Sequence, residues 1–197
     1  MRYILSGGGT GGHIYPALAI GEEIKKQDKE ADILYVGKKD SLEEELANKY
    51  NFEFKGIDIS GLPRKKLNKD TVITFFNLMK GLRECNKIIN DFKPDIVIGT
   101  GGYVCAPIVF KAQQKKIKTA VQEQNAYPGK TNKILAKKAD YVFINFMEAK
   151  KYLDNENIIF TGNPIRDVFS HIDRKKSRDK LNIKDNEKFV FSFGGSG

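Results

Sequence analysis

The chain has 197 residues, of which 40% are hydrophobic and 30% are charged, a composition that supports a packed core and excludes a disordered chain. Its two cysteines are too few for a disulfide framework or a four-ligand zinc site, and no apolar run approaches the roughly 20 residues that span a bilayer. The net charge of +9 favours an anionic partner, which charge alone leaves open among nucleic acid, lipid headgroups and a phosphorylated ligand.

The predicted elements alternate between strand and helix along most of the chain. Short apolar runs that precede glycine, such as YIL at 3–5 and IVI at 96–98, are typical of buried parallel strands. Pro16 suits the first position of a helix, so we place the first helix start there. The alternation predicts an α/β fold with a Rossmann-like, doubly wound parallel sheet. The predicted strands are 2–6, 32–37, 52–59, 95–98, 118–122, 140–145 and 157–160, and the predicted helices are 16–27, 41–49, 70–92, 104–115, 129–138 and 147–153.

The character of the sequence changes after the last predicted strand. Residues 1–162 form the predicted Rossmann-like domain. The highly charged stretch 163–187 is interpreted as a connection between domains, with a solvated surface helix of the first domain as the alternative. Residues 188–197 resemble the opening strand and glycine turn of a further α/β unit. Because no helix follows that turn, we expect the chain to contain only the start of a second domain.

Glycine is concentrated where three predicted strands end. Five of the six residues 7–12 are glycine, and such a strand-to-helix turn lets backbone N–H groups approach an anion. Gly7, Gly9 and Gly12 formally match the dinucleotide pattern G-x-G-x-x-G, but no acidic residue ends the second strand and no P-loop lysine follows. The turn therefore predicts a phosphate site without fixing the ligand, and tight packing alone is the alternative.

His13 lies between the first glycine turn and the following helix. The positive end of the helix dipole disfavours imidazolium, so we expect a neutral ring that can accept a proton near pH 7. A neutral imidazole beside a phosphate site suits general-base activation of a hydroxyl, and a structural histidine is the alternative. His171, in the charged connection, is interpreted as structural.

Two further polar segments follow predicted strands at the same edge of the sheet. TGGYVCAP at 100–107 repeats the strand–glycine–helix pattern. QEQNAYPGKTNK at 122–133 offers Glu123 and Asn125 to sugar hydroxyls and two lysines to phosphate, whereas a polar loop that caps the next helix is the alternative. Arg166 follows at the predicted hinge, where it could reach a ligand between domains.

Five segments carry a resemblance to a known family. They are GGGTGGHIYPALAI, GTGGYVCAP, QEQNAYPGKTN, TGNPIR and GGSG, and in order and spacing they resemble the MurG family of N-acetylglucosaminyltransferases. The resemblance implies a GT-B architecture, in which two Rossmann-like domains face a cleft. This chain would be the N-terminal, acceptor-binding domain with a truncated start of the C-terminal UDP-sugar-binding domain, and by itself it is expected to be inactive.

The resemblance also implies a reaction and a set of residue roles. The reaction is an inverting transfer of GlcNAc from UDP-GlcNAc to the C4 hydroxyl of MurNAc in undecaprenyl-diphosphate-linked lipid I, which forms lipid II in peptidoglycan synthesis. His13 matches the proposed general base, and neither a metal nor a cofactor is implied, since backbone N–H groups and an arginine can stabilise the departing UDP. The family usually has His where this chain has Gln122. The implied UDP-GlcNAc contacts are Thr10, Gly11, Gly12, Asn125, Arg166 and Ser196, and the implied acceptor-diphosphate contacts are Gly8, Gly9, Gly101, Gly102 and Tyr103.

An apolar stripe with basic neighbours lies between residues 64 and 87. Phe75, Phe76, Met79 and Leu82 share one face of the predicted helix by their spacing. This pattern fits a helix at the surface of an anionic membrane, and a core-facing helix is the alternative. The lipid-linked acceptor of the family favours contact of these four residues with the anionic inner membrane, and it implies a peripheral position on the cytoplasmic face of the bacterial cell membrane.

Other functions remain open from the sequence. Another GT-B transferase or an epimerase that uses UDP-GlcNAc would carry similar loops, and so would a non-catalytic nucleotide-binding module. No aromatic and basic motif of a known nucleic-acid module is present, so nucleic acid is not a predicted partner.

Overall fold

The computed structural model describes residues 1–59, 69–169 and 172–192, and the side chains of 69–78 are outside that description. Strands and helices alternate as the apolar runs predict. The strands are β1 (Arg2–Ser6), β2 (Asp32–Lys38), β3 (Glu53–Ile57), β4 (Ile96–Gly99), β5 (Lys118–Glu123), β6 (Tyr141–Ile144) and β7 (Ile158–Phe160). The helices are α1 (Gly11–Gln27), α2 (Leu42–Lys49), α3 (Lys69–Phe92), α4 (Gly102–Gln114), α5 (Lys130–Ala136) and α6 (Arg174–Lys180), with 3₁₀ helices at Met147–Tyr152 and Asp167–Phe169.

The seven strands form one parallel sheet in the order β3-β2-β1-β4-β5-β6-β7. Tyr3 of β1 pairs with Ile33 on one side and with Ile96 on the other. The chain thus moves outward from β1 in one direction and then outward from β4 in the other. Ligands of open α/β sheets bind beyond the carboxyl ends of the strands at such a reversal, and here both strands at the reversal end in a glycine turn.

Helices cover both faces of the sheet, which confirms the predicted doubly wound α/β class. One buried cluster joins the sheet to α3, α4 and α5, and it includes Cys85, Ile108 and Leu135. A second cluster joins the other face to α1 and α2 and includes Leu18 and Ala47. With both faces covered, the central strands β1, β2 and β4 are largely buried and apolar, as parallel strands require, whereas β3 and β7 are partly exposed.

Helix α1 begins five residues earlier than the sequence predicts. Pro16 lies inside the helix, because the N–H groups of His13 and Ile14 both donate to the carbonyl of Thr10 and start the helix at Gly11. The prediction placed proline at the first position of a helix, where it is most favourable. The earlier start brings His13 into the first turn of α1.

The charged stretch after the sheet holds two short helices, and residues 188–192 lie in no strand. Asp173 caps α6 by accepting a hydrogen bond from the Lys176 N–H. The division into a domain, a connection and a second domain stays a prediction. Several positions named from the sequence lie outside the described residues, namely Ser196, His171 and the glycines of the GGSG turn.

Candidate functional site

The two glycine turns at the reversal of strand order are bonded to each other. The Gly8 N–H donates to the carbonyl of Gly101 over 3.3 Å. The hydroxyl of Thr100, a fully buried residue, donates to the carbonyl of His13 over 2.6 Å. These bonds fix the first turn of α1 against the loop that follows β4.

Two buried side chains, one from β2 and one from α2, also hold the first glycine turn. The Tyr35 hydroxyl of β2 donates to the Gly7 carbonyl over 2.6 Å. The Glu43 carboxylate of α2, a residue only 4% exposed, accepts from the Gly9 N–H over 2.8 Å. Because the Gly9 N–H already has an acceptor, an anion at this turn would be met by the N–H groups of residues 10–12, at the start of α1.

The second turn needs glycine at two consecutive positions. Gly101 and Gly102 have φ angles of +110° and +77°, a region that other residues adopt only with strain. A Cβ at Gly102 would lie 2.0 Å from the Gly8 carbonyl oxygen, and a Cβ at Gly101 would lie 2.7 Å from Cδ2 of His13. The missing side chains therefore allow the imidazole to lie directly on the backbone of this turn.

The half-buried imidazole of His13 is held by the backbone and side chains of the first glycine turn. Its Nδ1 is 3.1 Å from the Thr10 hydroxyl oxygen, and the ring also forms a hydrogen bond to the Gly8 backbone. Burial lowers the pKa of His13 below its ordinary value of 6.5, although a hydrogen bond to the Gly8 backbone and the charge of Glu123 raise the pKa in part. The ring is therefore neutral at pH 7, and Nε2 can accept a proton.

The Glu123 carboxylate organises the loop that follows β5. The residue is 1% exposed. One carboxylate oxygen accepts from the backbone and side-chain N–H groups of Asn125, both over 2.9 Å. The other oxygen accepts from the Gly129 N–H over 3.1 Å and from the Asn132 side chain over 2.8 Å. Four donors satisfy this buried charge, so Glu123 positions the loop and is not the sugar contact that the sequence indicated.

Gln122 lies in a buried amide network. Its Oε1 accepts from Gln124 Nε2 over 2.5 Å, and that same nitrogen donates to the Thr100 carbonyl over 2.6 Å. The network links the loop after β5 to the loop after β4. Within the described residues, two buried atoms of this region have no hydrogen-bond partner: Gln122 Nε2 and Asn132 Oδ1.

Arg166 reaches the start of α1 through an aromatic contact. Its guanidinium carbon lies 4.7 Å from the ring centre of Tyr15 and 4.8 Å from that of Phe169. The Tyr15 ring in turn lies 3.4 Å from where a Cβ of Gly11 would be. The Tyr15 ring thus contacts both the hinge arginine and the first residue of α1.

The structure brings most of the predicted site residues to one edge of the sheet. Tyr103 lies over the first turn, 3.3 Å from where a Cβ of Gly9 would be. On α3, Met79 is 37% exposed and Leu82 is half-buried, whereas the side chains of Phe75 and Phe76 are outside the described part. The residues at the sheet edge are Gly8, Gly9, Thr10, Gly11, Gly12, His13, Gly101, Gly102, Tyr103, Asn125 and Arg166.

Three side chains of the site were not found from the sequence. Glu43 and Asn132 act through hydrogen bonds to distant parts of the chain, and Tyr15 acts through its contact with Arg166. No local pattern marks such contacts. The one available signal for Tyr15 was its position two residues after His13, on the helix that carries the site.

Comparison with known proteins agrees with this geometry. A family model described as the glycosyltransferase family 28 N-terminal domain matches residues 3–144. The chain is 49% identical over 199 residues to the Finegoldia magna protein named UDP-N-acetylglucosamine--N-acetylmuramyl-(pentapeptide) pyrophosphoryl-undecaprenol N-acetylglucosamine transferase, with 100% of this chain and 54% of that protein covered. The chain thus spans about half the length of the curated relatives that it matches.

Solved structures show the same fold. The crystal structure of Acinetobacter baumannii MurG matches with a TM-score of 0.70 and 26% sequence identity, covering 82% of this chain and 46% of that one. The Neisseria meningitidis UDP-GlcNAc 2-epimerase bound to UDP-GlcNAc matches with a TM-score of 0.60 at 14% identity, over 93% of this chain and 51% of that one. At that identity the epimerase shows a shared fold alone.

The fold and the site together define the N-terminal domain of a GT-B glycosyltransferase. The relatives named above indicate one family within that class. The chain belongs to the MurG family.

Proposed function

We propose that this chain supplies the acceptor-binding half and the general base of an enzyme that transfers GlcNAc from UDP-GlcNAc to the C4 hydroxyl of MurNAc in lipid I. The observation that carries the proposal is the environment of His13. Its Nδ1 lies 3.1 Å from the Thr10 hydroxyl oxygen, and burial favours the neutral ring. The whole-length relatives named for this transfer support the choice of substrates.

The proposed reaction requires one proton acceptor on this chain. Nε2 of His13 takes the proton of the acceptor hydroxyl as its oxygen forms a bond to C1 of GlcNAc. The bond between C1 and the UDP oxygen breaks, and UDP leaves with the electron pair. Attack on the face opposite UDP inverts the configuration at C1. The buried charge of Glu123 stabilises the imidazolium that forms, since it raises the pKa of His13.

Two groups of residues are proposed to bind the substrates. The N–H groups of residues 10–12 and the guanidinium of Arg166 would meet the UDP phosphates, and Asn125 and Ser196 complete the proposed donor site. The acceptor diphosphate would lie against Gly101, Gly102 and Tyr103, with Gly8 and Gly9 as the floor of the site because their N–H groups are already bonded within the protein.

We further propose a peripheral position on the cytoplasmic face of the cell membrane. Among the described helices, none is long and apolar enough to cross a bilayer. A lipid-linked acceptor nevertheless has to be reached at the membrane surface. The exposed Met79 side chain and the apolar stripe of α3 that continues through Phe75 and Phe76 would supply this contact, with basic neighbours on anionic lipid.

The experiment that tests the transfer is a substitution of His13 in the full-length protein. His13→Ala should lower kcat for lipid II formation by about 100-fold or more, the usual effect of removing a general base. His171→Ala, which removes the other histidine of the sequence, is the matched control and should leave kcat unchanged. Activity of His13→Ala close to that of the unsubstituted enzyme would remove His13 from the mechanism.

Product analysis separates the proposed transfer from the alternative enzymes. UDP-GlcNAc should be consumed only when lipid I is present, with UDP and lipid II as products. Consumption without lipid I, with an epimerised UDP-sugar as the product, would contradict the proposal.

A further inference from the structure

We infer that Tyr15 is a positioning residue for the nucleotide diphosphate, because its ring holds the Arg166 guanidinium at the start of α1. The inference rests on the proposed function, which places the UDP phosphates at Arg166 and residues 10–12. Tyr15 itself has no role in the chemistry. It lies on the helix that carries His13, but its ring faces the hinge segment.

The contact geometry supports this role. The guanidinium carbon lies 4.7 Å from the centre of the Tyr15 ring, within the range of a cation–π interaction. The Tyr15 ring also lies against Gly11, 3.4 Å from where a Cβ of that glycine would be. Tyr15 thus links the guanidinium to the backbone at the beginning of α1.

The segment that carries Arg166 is tied to α1 at further points. Asp167 forms an ion pair with Lys26, three turns along the helix. Phe169 lies 4.8 Å from the Arg166 guanidinium, and its N–H closes a turn by donating to the Arg166 carbonyl over 3.0 Å. The hinge segment therefore packs along α1, and among the described residues the aromatic contacts set where the guanidinium lies.

The hydrogen-bonding state of Arg166 indicates a ligand. Within the described part of the chain no group accepts a hydrogen bond from its guanidinium, although the residue is half-buried. Contact with aromatic rings uses the face of the guanidinium and leaves the N–H donors at its edge available. Those donors match the geometry of phosphate oxygens. Because the two rings already order the Arg166 side chain, binding of the diphosphate would cost little further side-chain entropy.

The test uses full-length protein and separates binding from chemistry. Tyr15→Leu should raise KM for UDP-GlcNAc, and Kd for UDP measured by calorimetry, about 5-fold, equivalent to about 1 kcal/mol, while kcat changes less than about 2-fold. Tyr15→Phe keeps the ring and should restore both constants. Phe169→Leu, which removes the second ring, should raise both constants in the same direction.

A double-mutant cycle tests whether Tyr15 acts through Arg166. In the Arg166→Ala background, Tyr15→Leu should have no further effect on Kd for UDP. Phe92→Leu is the matched control, because it removes a ring under Arg2 at the opposite edge of the sheet, and it should leave Kd for UDP unchanged. An unchanged Kd in Tyr15→Leu, or an equal effect of that change with and without Arg166, would overturn the inference.

These outcomes are distinct from a failure of the proposed function. If the unsubstituted enzyme bound UDP but formed no lipid II, the proposed transfer would be contradicted, whereas the series of UDP dissociation constants would still decide the role of Tyr15. Thermal melting of each variant identifies any loss of fold, and in that case the Phe169→Leu variant tests the same stack from the hinge side.

Discussion

At the scale of single residues, the closest backbone approach of the site is at Gly102. A Cβ there would lie 2.0 Å from the Gly8 carbonyl oxygen, and the φ of +77° disfavours any other residue. Gly102→Ala should therefore push the two glycine turns apart and destabilise the protein by about 1–3 kcal/mol, with a loss of lipid II formation. Thermal melting and the transfer assay of full-length protein measure the two effects.

Gly129→Ala is the matched control for Gly102. Gly129 has φ of −63°, and no atom lies within 4 Å of the position that an added methyl group would take. Its N–H, which bonds to Glu123, is kept in alanine. Both the melting temperature and the activity should stay at the level of the unsubstituted enzyme. Equal behaviour of the two variants would contradict the tight approach at Gly102.

The charge of Glu123 gives a second prediction at the residue scale. Burial lowers the pKa of His13 and the Glu123 carboxylate raises it in part, so the acidic limb of kcat should lie below pH 6.5 as His13 is protonated. Glu123→Gln removes the charge and should lower the pKa of His13 further, which moves that limb to lower pH. A pH profile of kcat in the full-length enzyme measures the shift.

Glu123→Gln should also lower the free energy of unfolding, so a control substitution is needed. Glutamine cannot accept all four hydrogen bonds that the carboxylate accepts, and each buried donor left without a partner costs about 1–3 kcal/mol. Glu53→Gln removes a carboxylate from an exposed position on β3 and should change neither property. A limb that moves to higher pH in Glu123→Gln would contradict the assigned sign.

At the scale of elements, the sequence predicts strands and helices well because their signals are local. Apolar runs before glycine locate β1 and β4, and the spacing of apolar residues locates α3. Helix α1 starts before the predicted position because Pro16 is as compatible with an early interior position of a helix as with the first one. The two hydrogen bonds to the Thr10 carbonyl that determine the start cannot be read from the sequence.

The interior of the site could not be predicted in the same way. His13 and the glycine turns stand out because residue type and neighbours are enough to indicate phosphate chemistry. Glu43 lies 34 positions from the Gly9 N–H that it holds, and its role exists only once β2 is paired with β1. Glu123 was interpreted as a sugar ligand because a polar residue after a strand usually faces the ligand, whereas the sheet buries it among four donors.

At the scale of the whole molecule, the proposed function gives positive charge two roles, one at the glycine turns and one at the apolar stripe of α3. The carboxyl edge between β1 and β4 holds the glycine turns and Arg166. Helix α3 carries the apolar stripe, and its Lys80 already forms an ion pair with Asp58. The positive charge of Lys80 is therefore offset locally, so the proposed membrane attraction depends on the apolar stripe as well as on the net charge of +9.

Membrane binding can be tested by replacing residues of the stripe and comparing the result with a variant of equal net charge that leaves the stripe intact. In vesicle flotation, full-length protein should bind vesicles that contain phosphatidylglycerol and bind weakly to phosphatidylcholine alone. Added salt should reduce binding because it screens the charges over about 10 Å at 0.1 M.

Phe75→Asp combined with Phe76→Asp should abolish flotation. Asn48→Asp combined with Gln114→Glu adds the same two negative charges at exposed positions on other helices and should preserve it. If both double variants lost binding equally, net charge alone would explain the attraction, and the assignment of the membrane contact to Phe75, Phe76, Met79 and Leu82 would be wrong.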